Sequence, residues 1–550
     1  MKKFFALLIL TLAIFATGCG GDSEDKTFKV MLSSNVVSLD ISQIRDVSSF
    51  ELVGDCIDGL MQQDEKGNPI PAIAESYDVS PDGKTYTFHL RDAKWANGDP
   101  VTANDFVFAW RRQCEKAGEY AYMLGSTVAC IKNADEIMKN NADPTTLGVS
   151  APDEKTFVVE LTNPVAFFPS LMSFPIFFPI NEKFYSGIAD GQYGTSPETF
   201  LSNGAFVLTE YMPGAASISL KKNDQYWDAE HVTLPAMQYQ VVSSSDNALV
   251  AFKNKTLDIV TITGNQVESV NSDENLAKDL KILPTASFDY LSFNQDPKNA
   301  DKGALANVNL RLAISKSIDR ESIATNYLMN GAKETYTAVP VDFAPDEKTG
   351  KFFSEDQKEF LPYIGFNPQE AKEYLAKAKQ ELGRENFTFT LIHSNDAGNS
   401  IVKLVQVLKA QIEETLPGVK INLQPMPKAE YLAKITSNDY DLAVANWTPD
   451  YDDPMTFLNL WTTENCAAAE HWSNPEYDLL IKECTTGSLS SDYEARRVAM
   501  HEAEEILLKN AVIAPMFTDA SAVLTSPDVS GVEYHAVGIN RVFKHVKVNR

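Results

Sequence analysis

Three carboxylates, Asp450, Asp452 and Asp453, crowd the eight residues from Trp447 to Pro454. A carboxylate held out of water takes a cation as its partner, whereas one in a turn caps backbone N–H groups. Asp452 and Asp453, next to Pro454, read as turn formers; Asp450 fits either a cation partner or a turn cap before Pro454. No second constellation competes for chemistry. The chain has no G-x-S-x-G elbow, H-E-x-x-H pair, P-loop or G-x-G-x-x-G turn. Its seven histidines, His89, His231, His393, His471, His501, His535 and His545, are scattered, and Glu505 stands where a zinc helix begun by His501-Glu502 would need its second histidine. The expectation is a chain with no catalytic residue, metal or cofactor.

Strands and helices alternate along the chain and set where these carboxylates fall. Ile401, Leu404, Val405, Leu408 and Ile412 keep helical spacing until Leu416-Pro417-Gly418; Val419, Ile421 and Leu423 then alternate as a strand. A helix around Tyr431 to Ile435 leads into Tyr440 to Trp447, an apolar run expected to be a strand buried on both faces. This is β-α-β wiring, and open sheets of that kind bind ligands beyond the carboxyl ends of their strands, where Trp447 to Pro454 falls. Elsewhere Tyr86, Phe88 and Leu90 share one face of a strand, as do Phe157, Val159 and Leu161. Thr102 with Asp105 starts a helix carrying Phe106, Ala109 and Trp110, and Asn367-Pro368 starts another that buries Ala371, Leu375, Ala378 and Leu382.

Composition bounds the partners. Of 550 residues, 44% are hydrophobic and 22% charged, and the net charge is −27. Nucleic acid and anionic lipid surfaces both need clustered Lys and Arg, so neither is expected. Lys2, Lys3 and the apolar run Phe4 to Ala16 form a secretory leader, too short to span a bilayer as a permanent helix, and Thr17-Gly18-Cys19 supplies a small-residue cleavage site. Its removal leaves 532 residues with charge −29, enough for at least two domains. Cys56 lies in the apolar stretch Val53 to Met61 and reads as a buried thiol. In an exported chain, Cys114 with Cys130 and Cys466 with Cys484 are possible disulfides.

Two resemblances sharpen this reading. Cys19 directly after Ala16-Thr17-Gly18 resembles the bacterial lipoprotein signal, Ala16 standing where that pattern usually has leucine; it implies a lipid on Cys19 and a flexible tether over 19–26, with ordinary secretion as the alternative. The blocks Glu65 to Tyr77, Ser80 to Arg91 and Lys94 to Phe106, followed in order by Ser202 to Phe206, Asn223 to Trp227, Leu310 to Arg320, Tyr451 to Pro454 and Glu502 to Leu507, resemble the oligopeptide-binding proteins of ABC importers (extracellular solute-binding protein family 5). That likeness covers essentially the whole mature chain. It implies an α/β, bilobal periplasmic-binding-protein-like fold of the class II type, with three discontinuous segments around a ligand cleft. Lobe I would take 27–60, 198–285 and 520–550, an accessory segment 61–197 would pack beside it, and lobe II would be 286–519, with hinge crossings near Thr285 and Asp519.

The same likeness assigns roles. Asp450 would pair the amino-terminal ammonium of a peptide, with Trp447 as a pocket wall beside Tyr451. The main chain of Val36 and Val37 (within Asn35 to Ser38) and of Ala445, Asn446 and Trp447 would flank the ligand as an added strand, and Tyr120 and Tyr122 would border it. The enteric members carry an arginine in the strand before the tryptophan, whereas Ala443-Val444-Ala445 has none. The carboxyl end of the ligand would then be left open or met by Lys428, Lys434 or backbone N–H groups; a dipeptide, metal chelate or sugar is the alternative cargo, and a signal-peptide receptor the alternative role. The implied partners are a peptide, an ABC permease and its ATPase, with a monomer tethered by its lipid to the outer side of the membrane, in periplasm or at the cell surface.

Overall fold

Strands of 14 and 13 residues, Leu280–Phe293 and Ile513–Thr525, pair antiparallel and join two halves of one sheet. The computed structural model describes residues 26–44, 46–298, 300–346, 349–355, 357–394, 399–466 and 470–550, so the leader and Cys19 lie outside the described residues. On one side, Leu442–Trp447 pairs with Leu280–Phe293 and the sheet continues through Phe387–Ser394 to Val419–Met426. On the other, Ile259–Ile262 pairs with Ile513–Thr525, and Phe28–Leu32, Ala236–Val241, Ser217–Lys222 and Phe206–Glu210 follow. The fold is mixed α/β and bilobal.

The joining pair is interrupted where the two halves meet. Its register shifts between Pro284 and Phe288, Ala286 takes a left-handed φ of 53°, and Thr285 Oγ1 donates to the Asp519 carbonyl at 3.1 Å. A bulge of this kind bends a strand and breaks its ladder locally.

The β-α-β unit forms as its spacing predicts. Helix Asn399–Thr415 buries Leu404, Val405, Leu408 and Ile412 between the parallel strands Phe387–Ser394 and Val419–Met426. Strand Leu442–Trp447 departs from the expectation of burial on both faces: Leu442 to Val444 are buried, but Ala445 and Trp447 are half-buried and Asn446 exposed. Its carboxyl end runs out of the core into the space between the halves.

A second sheet, in the order Ala74–Val79, Thr85–Leu90, Thr156–Glu160, Val149–Asp153, packs beside the first half. Helix Ala103–Lys116 opens with the Thr102/Asp105 capping box and buries Phe106, Ala109 and Trp110, whose Nε1 donates to the Phe177 carbonyl at 2.9 Å. Arg112 fastens this unit to the first half through two 2.6 Å bonds to the Asp40 carboxylate. At the far end of the chain Arg541 binds both oxygens of Glu51, at 2.8 and 2.7 Å, and so ties the C-terminal segment to helix Val47–Cys56.

The expected disulfides are corrected. Cys114, Cys130, Cys466 and Cys484 are free and buried, as is Cys56. Each of three donates its thiol to a local carbonyl instead of meeting its proposed mate: Cys130 to Ser126, Cys466 to Leu460 and Cys484 to Arg496. Cys114 is fully enclosed beneath its own helix. Burial pushes the Cys114 thiol up to about 12 and those of Cys130 and Cys484 up to about 11, which leaves them in the unreactive form. Among the described residues no helix is long and apolar enough to cross a membrane. Non-reducing denaturation followed by alkylation should therefore label all five of these thiols, while the native protein should stay unlabelled; a mass showing three labels would reinstate a disulfide.

Candidate ligand cleft

The loop after Trp447 is held from below by one buried ion pair. Asp453 accepts from Arg496 Nη1 and Nη2 at 2.6 and 2.8 Å and also from the Met455 N–H at 2.9 Å, while Arg496 Nε donates to the Cys484 carbonyl. Asp453 is thus the turn former its place beside Pro454 predicts. Thr456 Oγ1 accepts from the Asp450 N–H at 3.2 Å and from Trp447 Nε1 at 3.4 Å, which sets both residues at the rim. Tyr451 is buried and stacks flat on Phe167 at 4.9 Å between centroids, so the loop also touches the unit that carries the second sheet.

Asp450 faces the same way. Tyr122, on the short helix Ala121–Leu124, donates its hydroxyl to the Asp450 carboxylate across the gap between the halves. Tyr120 lies close by, its ring edge-on to Phe50 at 5.1 Å, and burial and then the negative charge of Asp450 push its hydroxyl up to about 12. The Asp450 carboxyl is raised above its ordinary value by burial, partly offset by the Tyr122 bond and reinforced by repulsion from Glu119. No cation compensates it among the described residues. A half-buried carboxylate, given one neutral donor and pressed by a second acid, is a candidate site for a cation brought from outside.

The main-chain groups divide. Leu442–Trp447 is paired with Leu280–Phe293 as far as Trp447, but on its other side with Phe387–Ser394 only at Leu442 and Ala443. The Tyr431 hydroxyl donates to the Val444 carbonyl at 2.7 Å, and Ala445 to Trp447 then run as an open edge. Val36 and Val37 are less available: the Val36 carbonyl accepts from the Gly214 N–H and the Val37 N–H donates to Ser49 Oγ, although Val37 as a residue is 63% exposed. Of the lysines that could meet a ligand carboxylate, Lys434 is paired with Asp439 at 2.6 Å.

Behind the loop lies a cavity of about 570 Å³ between the halves. Thr448 and Asp452 reach it from the loop, Phe343 and Phe352 from the second half, Glu51 and His535 from the first, and Leu283 to Thr285 with Asp519 from the joining strands. Asp450, Trp447, Tyr451, Tyr120 and Tyr122 gather at the rim and do not line it. The turn reading of Asp452 is corrected here: its carboxylate has no hydrogen-bond or ion-pair partner among the described residues and forms part of the cavity wall. Sequence reasoning also passed over Phe343, Phe352 and His535, which sit in irregular segments with no periodic signal. Elsewhere Asp228, Glu230 and His231 come together on the surface, with His231 bonded to Asp228 at 2.5 Å.

With fold and cleft described, their relatives can be placed. Residues 68–468 match the model described as Bacterial extracellular solute-binding proteins, family 5 Middle, and the chain belongs to that family. It is 30% identical to the Dipeptide-binding protein of Lactococcus lactis subsp. cremoris, covering 97% of this chain and 96% of the relative. It is likewise 30% identical to the Oligopeptide-binding protein OppA of Bacillus subtilis, covering 97% of each. Among solved structures, Listeria monocytogenes OppA bound to peptide superposes with a TM-score of 0.78 at 29% identity, over 96% of this chain and all of that one.

Arg496→Ala should lower stability by about 3–5 kcal/mol, because it strands the buried Asp453 carboxylate. Chemical denaturation checks this, and a loss below about 1 kcal/mol would show that the pair does not hold the loop.

Proposed function

We propose that this protein is the solute-binding component of an ABC importer, that it captures peptides between its lobes by their amino terminus, and that it hands them to a permease driven by an ATPase. The observation that carries the reading is Asp450, a carboxylate at the end of a sheet strand that spans the gap to Tyr122 with no cation beside it among the described residues. A peptide ammonium supplies that cation. The open edge of Ala445 to Trp447 offers main-chain partners blind to side chains, and relatives that bind dipeptides and oligopeptides support a peptide cargo. At Val444 a tyrosine hydroxyl occupies the carbonyl and no arginine points outward, so the ligand's carboxyl end is not clamped there.

Closure would pivot on the bulge at Thr285 and Asp519, with 27–60, 198–285 and 520–550 as one lobe, 61–197 packed on it, and 286–519 as the other. Moving two bodies about a few strand residues is a hinge motion. The protein acts outside the cytoplasm as a monomer, lipid-anchored through Cys19, and performs no catalysis.

Native mass spectrometry of the purified protein should release peptides; release of a sugar or metal chelate would overturn the peptide reading. Asp450→Ala should weaken peptide binding by about 2–5 kcal/mol by calorimetry. N-acetylation of a test peptide should cost far more than C-terminal amidation, and equal losses would locate a carboxylate clamp elsewhere. Affinity should also follow pH. Binding needs Asp450 ionised and the ligand amine protonated, so affinity falls as pH drops through the raised Asp450 value and falls again above about pH 8 as the amine loses its proton. Asp450→Asn should remove the acidic limb.

A further inference from the structure

The cavity behind the loop is left unused by amino-terminal capture, and its wall has a consistent chemistry. Most of its charges are already satisfied. Glu51 is bound by Arg541, Asp342 by Lys333 at 2.5 Å, and Asp519 accepts from Asn330 Nδ2 at 2.9 Å. The exposed Glu65 and Lys66 bring one charge of each sign. Asp452 remains, with neither cation nor donor among the described residues; burial and repulsion from Asp453 push its carboxyl up to about 6.

His535 also lines the cavity. It is more than nine-tenths buried, and its two ring nitrogens are covered by protein without a hydrogen-bond partner, so it adds ring surface to the wall. Burial lowers its pKa, which favours the uncharged ring. Phe343, Phe352, Leu283 and Val523 supply further apolar wall.

We propose that this cavity is a side-chain subsite selecting a lysine or arginine of the bound peptide, with Asp452 pairing its charged head. The inference rests on the peptide reading above. A long cationic side chain fits because its aliphatic stem lies on apolar surface while its head needs a carboxylate. Arginine suits it best, since the planar guanidinium brings five donors and packs on aromatic faces. An acidic side chain would meet Asp452 as a like charge, and an apolar one would leave Asp452 without a partner.

The test uses the purified protein and tetra-alanine peptides carrying arginine, or its neutral near-isostere citrulline, at each position in turn. At one position arginine should bind tighter than citrulline by about tenfold or more, as expected for a charged pair out of water. Asp452→Asn and Asp452→Ala, each first shown by thermal melting to be folded, should bring that ratio to about one. The subsite is overturned if no position discriminates, or if both variants keep the ratio. The two readings fail separately. Harmful N-acetylation without discrimination sinks the subsite alone, whereas discrimination that depends on Asp452 with harmless N-acetylation sinks amino-terminal capture and keeps the subsite. Failure of every peptide to bind overturns both.

Discussion

Everything in the cleft depends on the pairing of Leu280–Phe293 with Ile513–Thr525. These strands make the two halves one sheet, and because Leu442–Trp447 pairs with the first of them, the strand that delivers the site loop is registered on the joining element itself. The Pro284–Phe288 bulge concentrates irregular backbone at one level of an otherwise continuous ladder. The proposed closure would bend the sheet there and move two packed bodies without disturbing either core, since packed interiors shift between arrangements more readily than they deform.

Electrostatics gives the cleft its sign. Arg112, Arg496 and Arg541 are spent on Asp40, Asp453 and Glu51, which hold structural units in place. Asp450 and Asp452 are not compensated in this way. The loop therefore combines three neighbouring acids with three fates: one anchors, one faces the rim and one faces the cavity. Their spacing allows it, because an anchored Asp453 fixes the backbone from which the other two project.

Much of this was legible in the sequence. Periodic segments such as the helix over Leu404 to Ile412 and the strand over Tyr86 to Leu90 formed as read, because their apolar spacing matches a single period and a single buried face. The position of Asp450 beyond a sheet strand was legible from the spacing, and the role proposed for it comes from the family likeness. Asp452 was not, because a carboxylate beside Pro454 fits a turn equally well, and only the Arg496 pairing shows that Asp453 takes that role. Phe343, Phe352 and His535 were beyond reach, since cavity walls assembled from irregular segments far apart in the chain carry no local pattern. The cysteine pairs misled for a different reason: export permits a disulfide, but the thiols sit in separate packing sites.

Those thiols have a consequence for how the protein comes to exist. A chain that emerges unfolded on the outer side of a membrane and relies on disulfides must wait for an oxidant and for correct pairing. Here each described cysteine serves as a small apolar filler. Maturation of the folded part then has no redox step, and the protein can reach its working form in an anaerobic or reducing envelope as readily as in an oxidising one.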